Sequence, residues 1–359
     1  MKTRIYAAVI TATLFLSGCS AGTEVGERAF VQLMGIEREN ELYSVSMQIY
    51  KSESGKAEAD LSKANSTTAN GSGETIQAAL ADAETTLGKK LFLGHIKMLV
   101  IGKGVQNPAD ELSLFLDGSV SPACPVAYSD DPAAVAETLI EEGSFSAEQI
   151  LALMESSASQ GKTVYTSVAE LAAGTGVLGT GAALPVISAE EKTVSFDGIV
   201  LARKNGTDGT LGENAVTGVK LLLDQFESGD KITISTEVDG RRAAVFITGA
   251  KTKLKTEISG GQLRVDADIS LKLTIAENPY GIESGVIEKA VREQVSDMCI
   301  LAYTEAVHNN GCDIFGIKKL VRRDCPEKYN DYCNNEKSRL AGSVLNIRIT
   351  DKLLNEENA

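Results

Sequence analysis

The sequence predicts a multi-domain α+β protein: two to three units of mixed sheet with packed helices, ending in an antiparallel sheet covered by a long helix. Three observations carry that expectation. At 359 residues the chain is longer than one packed core usually organises. In its first half, short β-rich runs alternate with segments of helical periodicity. From residue 231 to residue 275 apolar and polar positions alternate, and a long helical stripe follows.

The elements follow in chain order. Residues 30–36 and 42–50 are β-rich runs around a polar connection, a hairpin-like pair. Residues 51–72, rich in Ser, Lys, Ala, Asn and Gly, read as a mobile loop, and 74–87 as a helix with Ile76, Leu80 and Leu87 on one face. Residues 91–101 read as a strand, 108–116 as a helix and 125–128 as a short strand. Pro132 opens a helix to residue 140, 145–155 continues helical, and 174–181 is a glycine-rich loop. A strand over 194–202, an Asn205-Gly206 turn and a helix over 213–226 come next. Strands then carry Ile232 and Ile234, Val245 and Ile247, and Leu263 through Leu273, with Ser259-Gly260-Gly261 as a turn. Ile287, Val291, Val295, Met298 and Ala302 share a face of a helix over 282–309, and 343–349 supplies a last strand. The junction between an N-terminal unit, 29–195, and a C-terminal unit, 196–359, falls near the strand at 194.

The first nineteen residues point to the cell surface. Lys2 and Arg4 precede an apolar run, 5–16, too short to span a bilayer. The run ends in Leu16-Ser17-Gly18-Cys19, a bacterial lipobox, so residues 1–18 read as a signal peptide and Cys19 as the lipidated first residue of the mature chain. Cleavage removes two cations and no acid, taking the net charge from −14 to −16. A body so acidic repels nucleic acid and anionic lipid alike, so acyl chains must provide the anchoring, with two chains where one is marginal. Residues 19–28 form a short tether that keeps the folded part close to the bilayer on its extracytoplasmic side.

Catalytic signals are weak. Only two histidines and no tryptophan are present. Gly174-Thr-Gly-Val-Leu-Gly179 matches the dinucleotide fingerprint, yet it follows a helical segment rather than a strand, which favours a flexible loop. Gly161-Lys162-Thr163 resembles the end of a phosphate-binding loop, but Ser156 stands where its first glycine belongs. His95, inside the 91–101 run, reads as a hydrogen-bonded structural residue rather than a base or ligand. His308, near a helix end, suits the negative end of the dipole. The pairs Glu141-Glu142 and Glu190-Glu191 read as solvated faces. No catalytic residue, cofactor or metal site is expected. Cys299, Cys312, Cys325 and Cys333 crowd one region, where one or two disulfides outside the cytoplasm are favoured over zinc, because no Cys-x-x-Cys occurs.

Several segments together resemble the Ger(x)C family of spore germination lipoproteins, the GerAC-type C subunits of nutrient germinant receptors. Leu33-Met34-Gly35-Ile36-Glu37 is similar to the family's first strand, and Leu93-Gly94-His95-Ile96-Lys97-Met98-Leu99-Val100-Ile101-Gly102 to its Gly-His strand. Phe196-Asp197-Gly198-Ile199-Val200, the Leu211-Gly212-Glu213 turn, the helix through Gly218 and Leu222, and Cys312-Asp313-Ile314-Phe315-Gly316 follow in the family's order. Ser20-Ala21 replaces the family's Trp-Asp after the lipidated cysteine, and the cysteine cluster is not a family feature. The resemblance implies a three-domain, non-catalytic lipoprotein on the spore inner membrane beside membrane-embedded A and B receptor subunits, with 196–359 as the germination-protein domain. A solute-binding lipoprotein is the alternative, with a cell-wall hydrolase third.

Overall fold

The computed structural model describes residues 28–50, 66–105, 111, 119–137, 147–176, 180–190, 193–333 and 339–354. The signal peptide, Cys19, the tether, the expected helix over 108–116 apart from residue 111, and the Glu141-Glu142 pair lie outside them.

The first sheet begins with β1 (Arg28–Glu39) and β2 (Leu42–Tyr50), joined by a tight turn in which Asn40 and Glu41 both have positive φ. Mirror-image turns of this kind match the twist of paired strands. β3 (Ser66–Gly73) pairs with β2 along its whole length, which corrects the mobile loop expected through residue 72. Its small residues conceal a strand, and the reason is α1 (Ile76–Leu87) lying across it, close enough that a side chain at Gly71 would overlap the Ala79 carbonyl. The run 91–101 divides into β4 (Lys90–Phe92) and β5 (Met98–Ile101), separated by a turn in which Ile96 donates to the Leu93 carbonyl at 3.1 Å.

β6 (Val126–Tyr128), β7 (Ala182–Glu190), β8 (Thr193–Arg203) and β9 (Gly206–Leu211) complete a nine-stranded sheet ordered β3-β2-β1-β5-β6-β7-β8-β9, with β4 beside β1. α1 and α4 (Val168–Thr175) cover one face, and α2 (Pro132–Glu137) with α3 (Ala147–Ser159) the other. With helices on both sides, β5 is buried at every position, as parallel central strands usually are. The sheet continues through β8, so the junction drawn between residues 195 and 196 crosses a strand.

The second sheet holds β10 (Ile232–Val238), β11 (Arg241–Ser259), β12 (Gln262–Glu277) and β13 (Val344–Leu353) in that order. Gly260 and Gly261, at φ 60° and 80°, close the long β11–β12 hairpin in a region where a side chain would be strained. β13 runs parallel to β12 over ten register pairs, so the sheet is not wholly antiparallel. The chain between them crosses over through α6 (Ser284–Tyr303), a π-helical turn Thr304–Asn309, α7 (Ile317–Asp324) and α8 (Tyr329–Cys333). A crossover of that length returns a strand in the same direction. α5 (Glu213–Leu222) and α6 share one core with the inward residues of this sheet, among them Val245, Leu263 and Val265.

Candidate functional site

The end of the first sheet where β1 begins gathers unusual chemistry. β4 runs parallel to β1 with Arg28 opposite Lys90 and Phe30 opposite Phe92, so side chains sixty-two residues apart become neighbours. The Phe30 and Phe92 rings meet edge-on at 5.5 Å, and the Arg28 guanidinium lies 5.5 Å from the Phe92 centroid. His95 packs at 5.3 Å from Phe92 and 5.7 Å from Phe30. It sits in the exposed turn between β4 and β5, not in a strand, and its visible partners are rings, which corrects the structural hydrogen-bonded reading. Beside this cluster a cavity of about 430 Å³ opens between α1 and β4, lined by Leu80, Leu91, Phe92 and Leu93 with Gln77 and Glu84. Glu84 accepts from Lys90 Nζ at 2.6 Å and from the Leu91 amide at 2.9 Å, and these bonds hold its carboxyl below the usual range although burial opposes them.

The remaining sequence candidates are structural. The segment containing Gly174 ends helix α4, and Thr180 Oγ1 donates to the Gly174 carbonyl at 2.7 Å. Residues 177–179 of the glycine fingerprint lie outside the described residues. Gly161-Lys162-Thr163 forms a polar connection, with Thr163 Oγ1 donating to Gly198 O and the Gly198 amide to Lys162 O. His308 Nε2 donates to the Ser343 carbonyl at 2.9 Å and packs edge-on against Tyr303.

No disulfide joins Cys299, Cys312, Cys325 and Cys333; each is a free thiol, as is Cys124. The bridges expected from the sequence are thus not formed among the described residues. Cys299 points at the Gly218 carbonyl, Cys312 at Ala202 and Cys325 at Thr256, carbonyls on three different elements. Burial pushes the thiols of Cys124, Cys299 and Cys312 up to about 12 and that of Cys333 to about 11. Such thiols stay protonated near neutral pH and exchange slowly. Thiol titration of the denatured, unreduced mature protein is therefore expected to count these five, and a shortfall of two would restore a bridge. Among the described residues no group of three His, Cys, Asp or Glu side chains is placed to hold a metal, and no helix is long and apolar enough to cross a membrane.

Comparison with known proteins bears directly on this arrangement. Residues 22–189 match the family described as "Spore germination protein N-terminal domain", and residues 197–339 match "Spore germination B3/ GerAC like, C-terminal". The chain belongs to the GerAC-like spore germination family. Its fold also resembles a solved structure, "Crystal Structure of the GerBC protein", at 14% identity and TM-score 0.60, over 90% of this chain and 97% of that one. No curated protein matches the sequence.

Within this GerAC-like chain, the segments that carry the family resemblance do packing work. Gly35 and Gly102 leave room for Pro132 at the start of α2, since a Cβ at Gly35 would lie 2.7 Å from Pro132 Cβ and one at Gly102 2.6 Å from Pro132 Cγ. Asp313, 1% exposed, accepts the amides of Ile317 and Lys318 at 2.7 and 2.8 Å and so caps α7. Burial nevertheless pushes its carboxyl up against the pull of those donors. Two residues on, Phe315 stacks on Tyr303, whose hydroxyl meets Ser343 Oγ at 2.6 Å.

What sequence reasoning missed is a buried latch between the two sheets. Lys220 on α5 is 4% exposed, and its Nζ donates to Ala158 O at 2.7 Å and pairs with Asp230 Oδ2 at 2.8 Å. The Lys231 amide donates to Ser159 O, and Thr217 Oγ1 to Gly161 O. The last turn of α3 and its exit are thereby fixed to α5 and to the approach of β10. A lysine inside the apolar run Val219-Lys220-Leu221-Leu222 was the available signal.

Proposed function

We propose that this chain is the non-catalytic, lipid-anchored C subunit of a spore germinant receptor, required for germination triggered by nutrients. The observation that carries the proposal is that the two spore-germination family matches together take in residues 22–189 and 197–339. The lipobox at Leu16-Ser17-Gly18-Cys19 supports an anchor on the extracytoplasmic face of the spore inner membrane, and the short tether supports action beside membrane-embedded A and B subunits. Binding through contacts rather than chemistry agrees with the packing roles of Asp313, His308 and the glycine-rich segments. The division at 29–195 and 196–359, read from the sequence, is supported by the gap at 190–196 between the two matches, although one sheet bridges it.

The test is a deletion of this gene in a strain whose other nutrient receptors have been removed. Such spores are expected to stop responding to the nutrient and to recover when the gene is returned. Spores that respond at the parental rate without it would refute the assignment.

A further inference from the structure

The tether-proximal cluster is more than a packing detail. We propose that the end of the first sheet formed by Arg28, Phe30, Lys89, Lys90, Phe92 and His95 is a docking face for an anionic phospholipid surface. The inference rests on the reading that Cys19 is acylated, and it adds an orientation: this end rests on the bilayer, rather than the body swinging freely from its anchor.

Three observations support it. First, reach: nine peptide steps separate Cys19 from Arg28, so the tether extends at most roughly 30 Å at 3.3–3.6 Å per residue. The strand end that emerges from the tether must lie within that distance of the acyl chains. Second, charge: in a chain of net charge −14, this end presents Arg28, Lys89, Lys90 and Lys97. Among the described ion pairs, only Glu84, bonded to Lys90, and Glu148, 3.5 Å from Lys97, offset them. An anionic surface attracts a local group of cations even while it repels the acidic remainder, so the two effects together turn the body rather than merely hold it. Third, polarity: aromatic residues are only 5% of the chain, yet Phe30 and Phe92 are half-buried here with the Arg28 guanidinium over one ring. Apolar rings flanked by cations suit the boundary between headgroups and acyl chains. The cavity beside them shares Phe92 with this face and runs toward α1 past Leu91 and Leu80, with Gln77 and Glu84 also on its wall.

Because the tether holds the body at an effective concentration near the millimolar range, a weak patch suffices to orient it. The absence of tryptophan makes the proposal easy to read out. The full-length acylated protein carrying Phe92→Trp is placed in mixed phosphatidylcholine and phosphatidylglycerol vesicles whose phosphatidylcholine chains are brominated. Its emission is expected to shift to shorter wavelength and to lose intensity relative to vesicles without bromine. Tyr280→Trp, an exposed position (60%) after the last residue of β12, should keep its intensity. On purely zwitterionic vesicles the Phe92→Trp quenching should weaken; equal quenching there contradicts the cationic part of the proposal. An unquenched Phe92→Trp in protein that still carries its acyl mass and sediments with vesicles overturns the docking face while leaving the anchor intact. A chain without acyl mass removes the anchor and the docking face together. If Phe92→Trp is shielded only when membrane-embedded subunits are present, the face binds protein and the lipid proposal is wrong. An unfolding midpoint unchanged by Phe92→Trp establishes that the reporter has not disturbed the fold.

Discussion

Replacing Lys220 with methionine is expected to lower the unfolding free energy by about 3–5 kcal/mol, the range for removing one partner of a buried ion pair. The side chains are nearly isosteric, so the loss comes from polarity and not from a cavity. Asp230, whose side chain is 10% exposed, loses the ammonium at 2.8 Å, and the Ala158 carbonyl loses its donor. Asp230 also accepts the Glu227 amide, so the carboxylate would keep one bond while its charge stayed in a poorly solvated place. Equilibrium unfolding in urea measures the effect. The double variant Lys220→Met, Asp230→Leu should recover a large part of the loss, because two apolar groups need no partner. Recovery should remain incomplete, since the Glu227 amide and the Ala158 carbonyl are still left without their side-chain partners. If the single variant changes stability by less than about 1 kcal/mol, a value typical of exposed pairs, the latch does not join the two sheets as described.

The second large effect is expected at Gly218, where α5 crosses α6. A Cβ there would overlap the Met298 carbonyl and lie 2.9 Å from Cys299 Cα, all backbone that cannot swing aside. Gly218→Ala should therefore destabilise by roughly 1–3 kcal/mol as an overpacked contact, although alanine is about 1 kcal/mol better than glycine in a helix. The sign is the informative part. Gly285→Ala, on the first turn of α6 with open space around its Cβ position, should be neutral or slightly stabilising. Thermal unfolding of the two variants side by side separates packing from propensity, and a stabilised Gly218→Ala would show that the helices are not in close contact there.

These two sites also show where sequence was legible and where it was not. Residues whose burial follows a simple period were readable: the alternation through Ile232, Val245 and Leu263, and the stripe Ile287, Val291, Val295. β3 was not, because Ser66–Gly73 holds its place through backbone pairing and the close approach of α1 rather than through large apolar side chains. The parallel pairing of β13 depends on a crossover whose direction no local pattern encodes. For the tether-proximal cluster, His95 and the Gly-His segment stood out by resemblance, but their contact with Phe30 required the parallel register of β1 with β4. For the cysteines, closeness in sequence suggested bridges, whereas which carbonyl each of Cys299, Cys312 and Cys325 faces, on three separate elements, depends on tertiary placement that no spacing encodes.

The central claim is that this GerAC-like chain works while anchored beside membrane-embedded partners, and Cys19→Ala tests it most directly. The variant is placed as the only copy in spores without redundant receptors, and membrane fractionation is measured alongside nutrient-triggered germination. On the proposed reading the acyl chains sit on the Cys19 thiol, so without it the protein should leave the membrane fraction. Germination should slow as the effective concentration near its partners falls from roughly the millimolar range. The purified body should still unfold cooperatively at its usual midpoint, since its two sheets and their latch are built from residues 28 onward. Normal germination from a fully soluble variant would contradict the account.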